Sequence, residues 1–342
     1  AIDPQREPLI FEKLAISLSV VVAVLLCCCA CGVSRHFWKS YTAMKVERAR
    51  SVAERKQRVL TACAEVGQFA FPMYCFSFST FKMLNRIITY EEARDKHSGS
   101  VTVFDQVSQL RDAAETKTTI FVSHQWYASV EPDPDNHHYN IIVRAIEGLS
   151  LDRGLDPDHI WLWIDYTCIP QRSLPLQRLS IRSLPAYASG ATFFLVVAPS
   201  VLGRNRRIFD FQTYSRRGWC RLEQWARIST RGLEDMYFCI GDEFGFTPVS
   251  DEAENFVKVM DVFGGEFTDD ADRYALVDTV VGLYYLLLQQ ESTKKLAEHP
   301  AMSMFFSKAL RDPHKMFPRQ YFEDLIEITV LAVRHGEADF DL

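Results

Sequence analysis

Apolar positions along this chain follow two different patterns. Leu14 to Val33 is an unbroken uncharged run, long enough to span a bilayer at the ~20 residues that requires. Further on, Thr118–Val122, His159–Ile164 and Thr192–Ala198 are short apolar runs, each followed by polar residues. Between the first two, His138, Ile141, Ile142, Ala145, Ile146 and Leu149 recur at helical spacing. This alternation predicts an α/β domain with an open parallel sheet flanked by helices. His159–Ile164 is apolar toward both faces, as a central parallel strand is, and stops at Asp165. Thr192–Ala198 is halted by Pro199, Met236–Ile240 supplies a fourth strand, and Leu176–Ala188 reads as a helix around Pro185. Asp133-Pro134-Asp135 is a turn.

The flanking segments divide the rest. Residues 1–13 precede the uncharged run at 14–33, which is read as a membrane anchor; a cleaved signal peptide is the alternative. Arg6 and Lys13 precede it, whereas Arg35, Lys39, Lys45, Arg48 and Arg50 follow, so the positive-inside bias puts the C-terminal part on the cytosolic side. Cys27, Cys28, Cys29 and Cys31 crowd the inner edge, as lipidation sites or as small membrane residues. Residues 34–117 form a juxtamembrane region. Its first part, to Val66, reads as a helix, and Phe69, Phe71, Tyr74, Phe76, Phe78 and Phe81 then gather around Pro72. Those aromatics suit either a membrane interface or packing across the domain. Tyr90–Lys96 and Asp105–Glu115 read as short helices around a strand at Val101–Phe104.

Residues 118–241 then make the α/β domain, and 242–342 a mainly helical C-terminal region. There, Ser250 before Asp251 and Glu252, and Thr268 before Asp269 and Asp270, predict helix starts. Tyr274–Leu288 reads as a core helix carrying Asp278, a second span being the alternative.

The 342 residues carry a net charge of −6, which argues against a nucleic-acid partner. Nine cysteines without framework spacing predict reduced, buried thiols for Cys63, Cys75, Cys168, Cys220 and Cys239. Asp133, Asp135, His137 and His138 cluster in sequence, but good turn chemistry explains the aspartates, and adjacent histidines do not share a helical face. No metal site is expected.

The stretch from Tyr214 to Trp225 mixes a breaker, Gly218, with aromatics, cations and one carboxylate, Glu223. Following the third strand, its helix brings Glu223 toward the carboxyl ends of the strands, where open α/β sheets bind ligands. Several runs here resemble TIR (Toll/interleukin-receptor) domains. Ile120-Phe121-Val122-Ser123-His124 looks like their first strand, Trp163-Ile164-Asp165 their second, and Ala191 to Ser200 their third. Ser215 with Trp219-Cys220 and Glu223 looks like their helix motif Ser-(spacer)-Trp-Cys-x-x-Glu. The run from Trp163 through Cys168 and Ile169 to Gln171 is also similar to heterokaryon-incompatibility (HET) domains. The resemblance spans Thr118 to Ile240 and implies a flavodoxin-like fold. Gln171 stands where TIR domains carry Gly, Arg216-Arg217-Gly218 is an insertion, and no fifth TIR strand is evident.

The resemblance further implies cleavage of NAD at the nicotinamide–ribose bond, with Glu223 as the essential carboxylate. The departing nicotinamide is already cationic, so no general acid is required, and a carboxylate stabilises the oxocarbenium-like transition state. Arg204, Arg206, Arg207 and Arg216 are candidates for the pyrophosphate. Trp126 and Trp219 are candidates to stack on a ring, and Ser123, His124 and Asp165 fall at strand ends. Glu223 and Arg227 are also spaced as a plain surface ion pair. The other class of function is non-enzymatic: an anchored scaffold or accessory subunit, as a homo-oligomer or in a larger membrane complex, with a silent site.

Overall fold

The structure, a computed structural model, describes residues 39, 41–204, 206–241, 245–249, 261–292 and 311–335. The proposed anchor at 14–33, the cysteine cluster and the Ser250 cap lie outside these residues. Residues Ala1–Gln57 and Arg58–Leu342 form separate units. In the first, residues 41–57 are helical (α1), begin with exposed residues and carry the surface pair Arg50–Glu54 at 2.9 Å. No helix among the described residues is long and apolar enough to cross a membrane.

In the second unit, strands β1 (Met73–Ser77), β2 (Val101–Phe104), β3 (Thr118–His124), β4 (Ile160–Ile164) and β5 (Phe193–Val197) come first. The short hairpin strands β6 (Val201–Leu202) and β7 (Ile208–Phe209) follow, then β8 (Met236–Cys239) and β9 (Thr247–Pro248). The helices are α2 (Phe78–Leu84), α3 (Tyr90–Lys96), α4 (Val107–Ala113), α5 (His137–Arg153), α6 (Asp165–Cys168), α7 (Leu174–Gly190), α8 (Phe211–Arg216) and α9 (Gly218–Arg231). Two longer C-terminal helices cover Ala271–Ser292 and Leu325–His335.

The main sheet has the order β2-β1-β4-β3-β5-β8-β9. Its centre, β4-β3-β5-β8, is parallel. The flanks correct the expectation of a purely parallel sheet: β1 runs antiparallel to β4 and β2, and β9 antiparallel to β8. The sheet therefore begins at Met73, inside the segment read as juxtamembrane, and the aromatics around Pro72 are largely core. Phe76, Phe78 and Phe81 are buried under the sheet.

Period-two alternation divides the strands between two cores. Ile120, Val122, Ile164 and Leu195 face α5 and α2. Phe121, Trp163, Phe194 and Val196 face α7, α9 and the Ala271–Ser292 helix. Pairing register places Phe121 beside both Trp163 and Phe194, and their rings stack at 4.3 and 5.1 Å. Each such contact contributes ~0.5–1.5 kcal/mol beyond burial.

Buried Leu276, Val280, Leu283, Tyr284 and Leu287 make Ala271–Ser292 a core helix, while Asp278 pairs with Arg58 at its rim. Asp269, not Thr268, takes the first amide of this helix, from Ala271. The Thr268 hydroxyl accepts from Arg217 instead. The five described cysteines are buried, and none forms a disulfide among the described residues.

Candidate functional site

From β3 the chain crosses to β4 on one side, then returns past β3 to β5 on the other. Such a reversal opens a crevice at the carboxyl ends of the strands. A cleft of about 240 Å³ lies there, walled by His124, Gln125, Trp126, Asp165, Gln171, Arg217, Trp219, Cys220 and Glu223 among others. That is room for at least a ring-sized group.

Glu223 reaches this wall because of a break in the preceding helix. Asp210 caps α8 by accepting from the Thr213 amide at 2.8 Å, while the Thr213 hydroxyl accepts from the Asp210 amide. The helix ends at Arg216, Arg217 is extended, and α9 starts afresh at Gly218. The new axis lays the carboxylate against the end of β3.

A line of buried donors ends on Glu223. Gln224 Nε2 donates to the Tyr214 hydroxyl at 3.0 Å, Tyr214 bonds Ser123 Oγ at 2.6 Å, and Ser123 donates to Glu223 Oε2 at 2.5 Å. Because an amide nitrogen can only donate, the simplest proton order runs from Gln224 to Glu223, which favours a charged carboxylate. Burial opposes this and dominates, with a smaller push from Asp165, so the carboxyl is pushed up to about 8.

Asp165, at the end of β4, is arranged oppositely. Its Oδ1 accepts from His124 Nε2 at 2.9 Å and from the Tyr166 amide at 2.6 Å, and its Oδ2 accepts from Trp126 Nε1 at 2.7 Å. Burial pushes this carboxyl up, but the His124 imidazole and these donors outweigh it and hold it below the usual range. The carboxylate accepts from His124 Nε2, so that nitrogen carries a proton. His124 Nδ1 is buried without a partner among the described residues, as are both ring nitrogens of His138 behind it.

Arg227 is no partner of Glu223. It is fully buried and donates to the carbonyls of Ala191, Thr192 and Glu234 at 2.6, 3.0 and 2.8 Å, pinning the start of β5. Burial pushes its guanidinium down to about 10.

His124, Trp126, Asp165, Trp219 and Glu223 thus meet at the cleft, with Ser123 fully buried behind Glu223, but the expected arginines do not. Arg204 is exposed and paired with Asp135 at 2.6 Å. Arg206 and Arg207 are exposed on the β6–β7 hairpin, Arg206 in its turn at φ 60. Arg216 points outward from the end of α8, and the extended residue after it turns Arg217 to the cleft. Nor does Trp219 offer its indole N–H, which goes to Asp272 at 3.0 Å. Sequence reasoning quoted Gln171 and Cys220 only within motifs, and missed Gln125, Gln177 and Arg217 as wall residues. Gln125 is flagged only by its place in the Ser-His-Gln-Trp run closing β3, and Arg217 only by the glycine after it. Among the described residues no set of His, Cys, Asp and Glu groups is arranged to hold a metal.

Fold and cleft together define an α/β protein with two carboxylates walling a crevice at the ends of parallel strands. Set against family models, curated proteins and solved structures, the chain finds no match.

Proposed function

We propose that this cleft binds a nucleotide and hydrolyses NAD at the nicotinamide–ribose bond. The observation that carries this reading is a pair of carboxylates in one cleft whose environments drive them apart, Glu223 upward and Asp165 downward. Such divergence separates roles between two acids. Glu223, ionised once the cationic ring is bound or the pH exceeds about 8, faces the developing oxocarbenium, and Asp165 accepts the proton of the water that attacks C1′. The C1′–nitrogen bond breaks with its electron pair moving to the ring, so neutral nicotinamide leaves with ADP-ribose and one proton as the other products. The TIR-like motif around Glu223 supports the same assignment, and the uncharged run at 14–33 supports a site held at a membrane.

The test is nicotinamide release from NAD by the full chain in detergent or nanodiscs, followed by chromatography. Glu223→Ala and Glu223→Gln are expected to lose about 10²-fold or more, as sites that lose one transition-state group do. No release by the wild type, even when the chain is clustered at high density, overturns the enzymatic reading and leaves the silent-site scaffold. Release that survives Glu223→Ala overturns the assignment of that carboxylate.

A further inference from the structure

The β6–β7 hairpin presents an apolar face to solvent. Direct cross-strand partners share a face, so Val201 with Phe209 forms one side of this ribbon and Leu202 with Ile208 the other. The inner side is packed, the Phe209 ring lying 4.8 Å from that of Tyr127. The outer side of such a ribbon is ordinarily polar. Here Leu202 is 68% and Ile208 61% exposed. The tip adds charge: Arg204, Arg206 and Arg207 are all exposed there, in a chain whose net charge is −6. Arg204 fixes the ribbon in place. Its guanidinium donates to both carboxylate oxygens of Asp135, at 2.6 to 3.0 Å, and to the Pro134 carbonyl at 3.1 Å. The Gly203 amide donates to the Arg207 carbonyl and the Arg206 amide to the Gly203 carbonyl, both at 2.9 Å. The hairpin thus holds its shape before any partner arrives. Among nearby acids, Asp135 is neutralised by Arg204 and Asp210 caps α8, which leaves Glu131 to set against Arg206 and Arg207. β3 and β5 are parallel neighbours, so the loop after β3 and this hairpin after β5 leave the same end of the sheet. That loop carries Val130, 79% exposed.

Exposed aliphatic side chains flanked by arginines suit the boundary between lipid headgroups and acyl chains. The aliphatic groups enter the apolar layer, while guanidiniums, which match phosphate oxygens, stay at its surface. We propose that the β6–β7 hairpin docks on an anionic phospholipid surface, with Leu202 and Ile208 inserted and Arg206 and Arg207 on the headgroup phosphates. An acidic protein is the other class of partner, but a stable protein interface covers ~800 Å² on each side, far more than two aliphatic side chains offer. A bilayer sets no such requirement, because shallow insertion and charge attraction add together. The uncharged run at 14–33 supports a bilayer as the nearby surface. The proposal gives a role to arginines that the cleft does not use. It involves no cleft residue, so it stands apart from the hydrolytic reading.

The test is hydroxyl-radical footprinting of the full chain, read by mass spectrometry, in nanodiscs of phosphatidylcholine with and without phosphatidylserine. Oxidation of Leu202 and Ile208 is expected to fall in the phosphatidylserine discs relative to the neutral ones. Leu151 is the internal control. It is 87% exposed near the end of α5, which runs from the carboxyl end of β3 back to the start of β4, so it lies at the opposite rim of the sheet and should label equally in both discs. Arg206→Gln combined with Arg207→Gln is expected to weaken docking ~25-fold, a factor of ~5 for each cation near an anionic surface, and so to restore labelling. Raised salt should act in the same direction. Full labelling of the hairpin in phosphatidylserine discs, whether or not the chain is held in them, overturns the inference and leaves the face to a protein partner. Equal protection in both kinds of disc, or protection of Leu151 together with the hairpin, overturns it as well.

Discussion

At the scale of single residues, Glu223 is held between opposing demands. The donor line through Tyr214 and Ser123 favours its charged form, yet burial leaves it protonated until about pH 8. If only the ionised form stabilises the oxocarbenium, kcat/KM rises with pH through about 8 and levels above it. A bound pyridinium ring favours the carboxylate, so the inflection in kcat falls at lower pH than that in kcat/KM. The same shift reads out in stability. In the unfolded chain the carboxyl ionises near its ordinary 4.5, and in the folded chain near 8, so the unfolded state holds fewer protons in between. Stability from this group is full below about 4.5 and is lost as pH rises to about 8. Glu223→Gln removes the ionisation, so its melting temperature should gain on the wild type progressively from pH 5 to 8 while turnover is lost. A constant difference across that window would show that Glu223 ionises as it does in water. Ser123, Asp165 and Glu223 were legible because strand ends and helix spacing locate them. The arginines were not, because a guanidinium on a long stem follows local backbone turns that composition does not encode.

At the scale of elements, the junction between α8 and α9 decides which side chains enter the cleft, and it is closed by a loop that comes from far along the chain. Gly218 N–H donates to the Glu266 carbonyl at 3.0 Å, and the Glu266 amide donates to Arg216 at 2.6 Å. Two glycines permit this approach. A Cβ on Gly265 would lie 2.6 Å from the Gly218 Cα, against main chain that cannot rotate away. A Cβ on Gly218 would meet the tip of the Phe267 ring at 2.1 Å, but that ring is only partly buried and can swing. Gly265→Ala is therefore expected to cost about 1–3 kcal/mol, and Gly218→Ala less, measured by urea unfolding of the two variants. The reverse order would mean that the loop, not the ring, gives way. Nothing in the local sequence announces this contact, since the partners are remote and the residue that closes it has no side chain. The parallel strands were legible for the opposite reason. Each is a continuous apolar run with an abrupt polar or proline stop. Met73–Ser77 lacks such boundaries inside its aromatic surroundings, and the two-residue strands β6, β7 and β9 are too short to show a period.

At the scale of the whole molecule, residues 58–117 are as much part of the α/β unit as the segment that follows them. β1 covers the edge of β4, and Phe76, Phe78, Phe81, Met73 and Ile88 are buried to 4% exposure or less. At ~1.5–3 kcal/mol for each large side chain, their burial contributes on the order of 10 kcal/mol, comparable with the ~5–15 kcal/mol that stabilises a typical domain. The segment also holds the cleft. Glu91 Oε1 accepts the amides of Gln171 and Arg172, both at 2.9 Å, and Thr167 donates to the Ile88 carbonyl at 2.7 Å. On the other side, Ser183 Oγ accepts the amides of Ala70 and Phe71, and the Tyr187 hydroxyl donates to the Phe71 carbonyl, tying α7 to the start of β1. Upstream of that, Val59, Ala62 and Val66 pack into the core, where Gly282 leaves room for the Ala62 carbonyl. A fragment of residues 118–342, the span that sequence pattern suggests for the domain and its helical tail, should thus expose β4 as an edge and melt without cooperativity. A fragment of residues 58–342 should melt as one cooperative unit and keep the response of the cleft to NAD. Calorimetry of the two fragments decides the point, and a sharp, ligand-responsive transition in the shorter one would mean that β1 decorates the sheet rather than completing it.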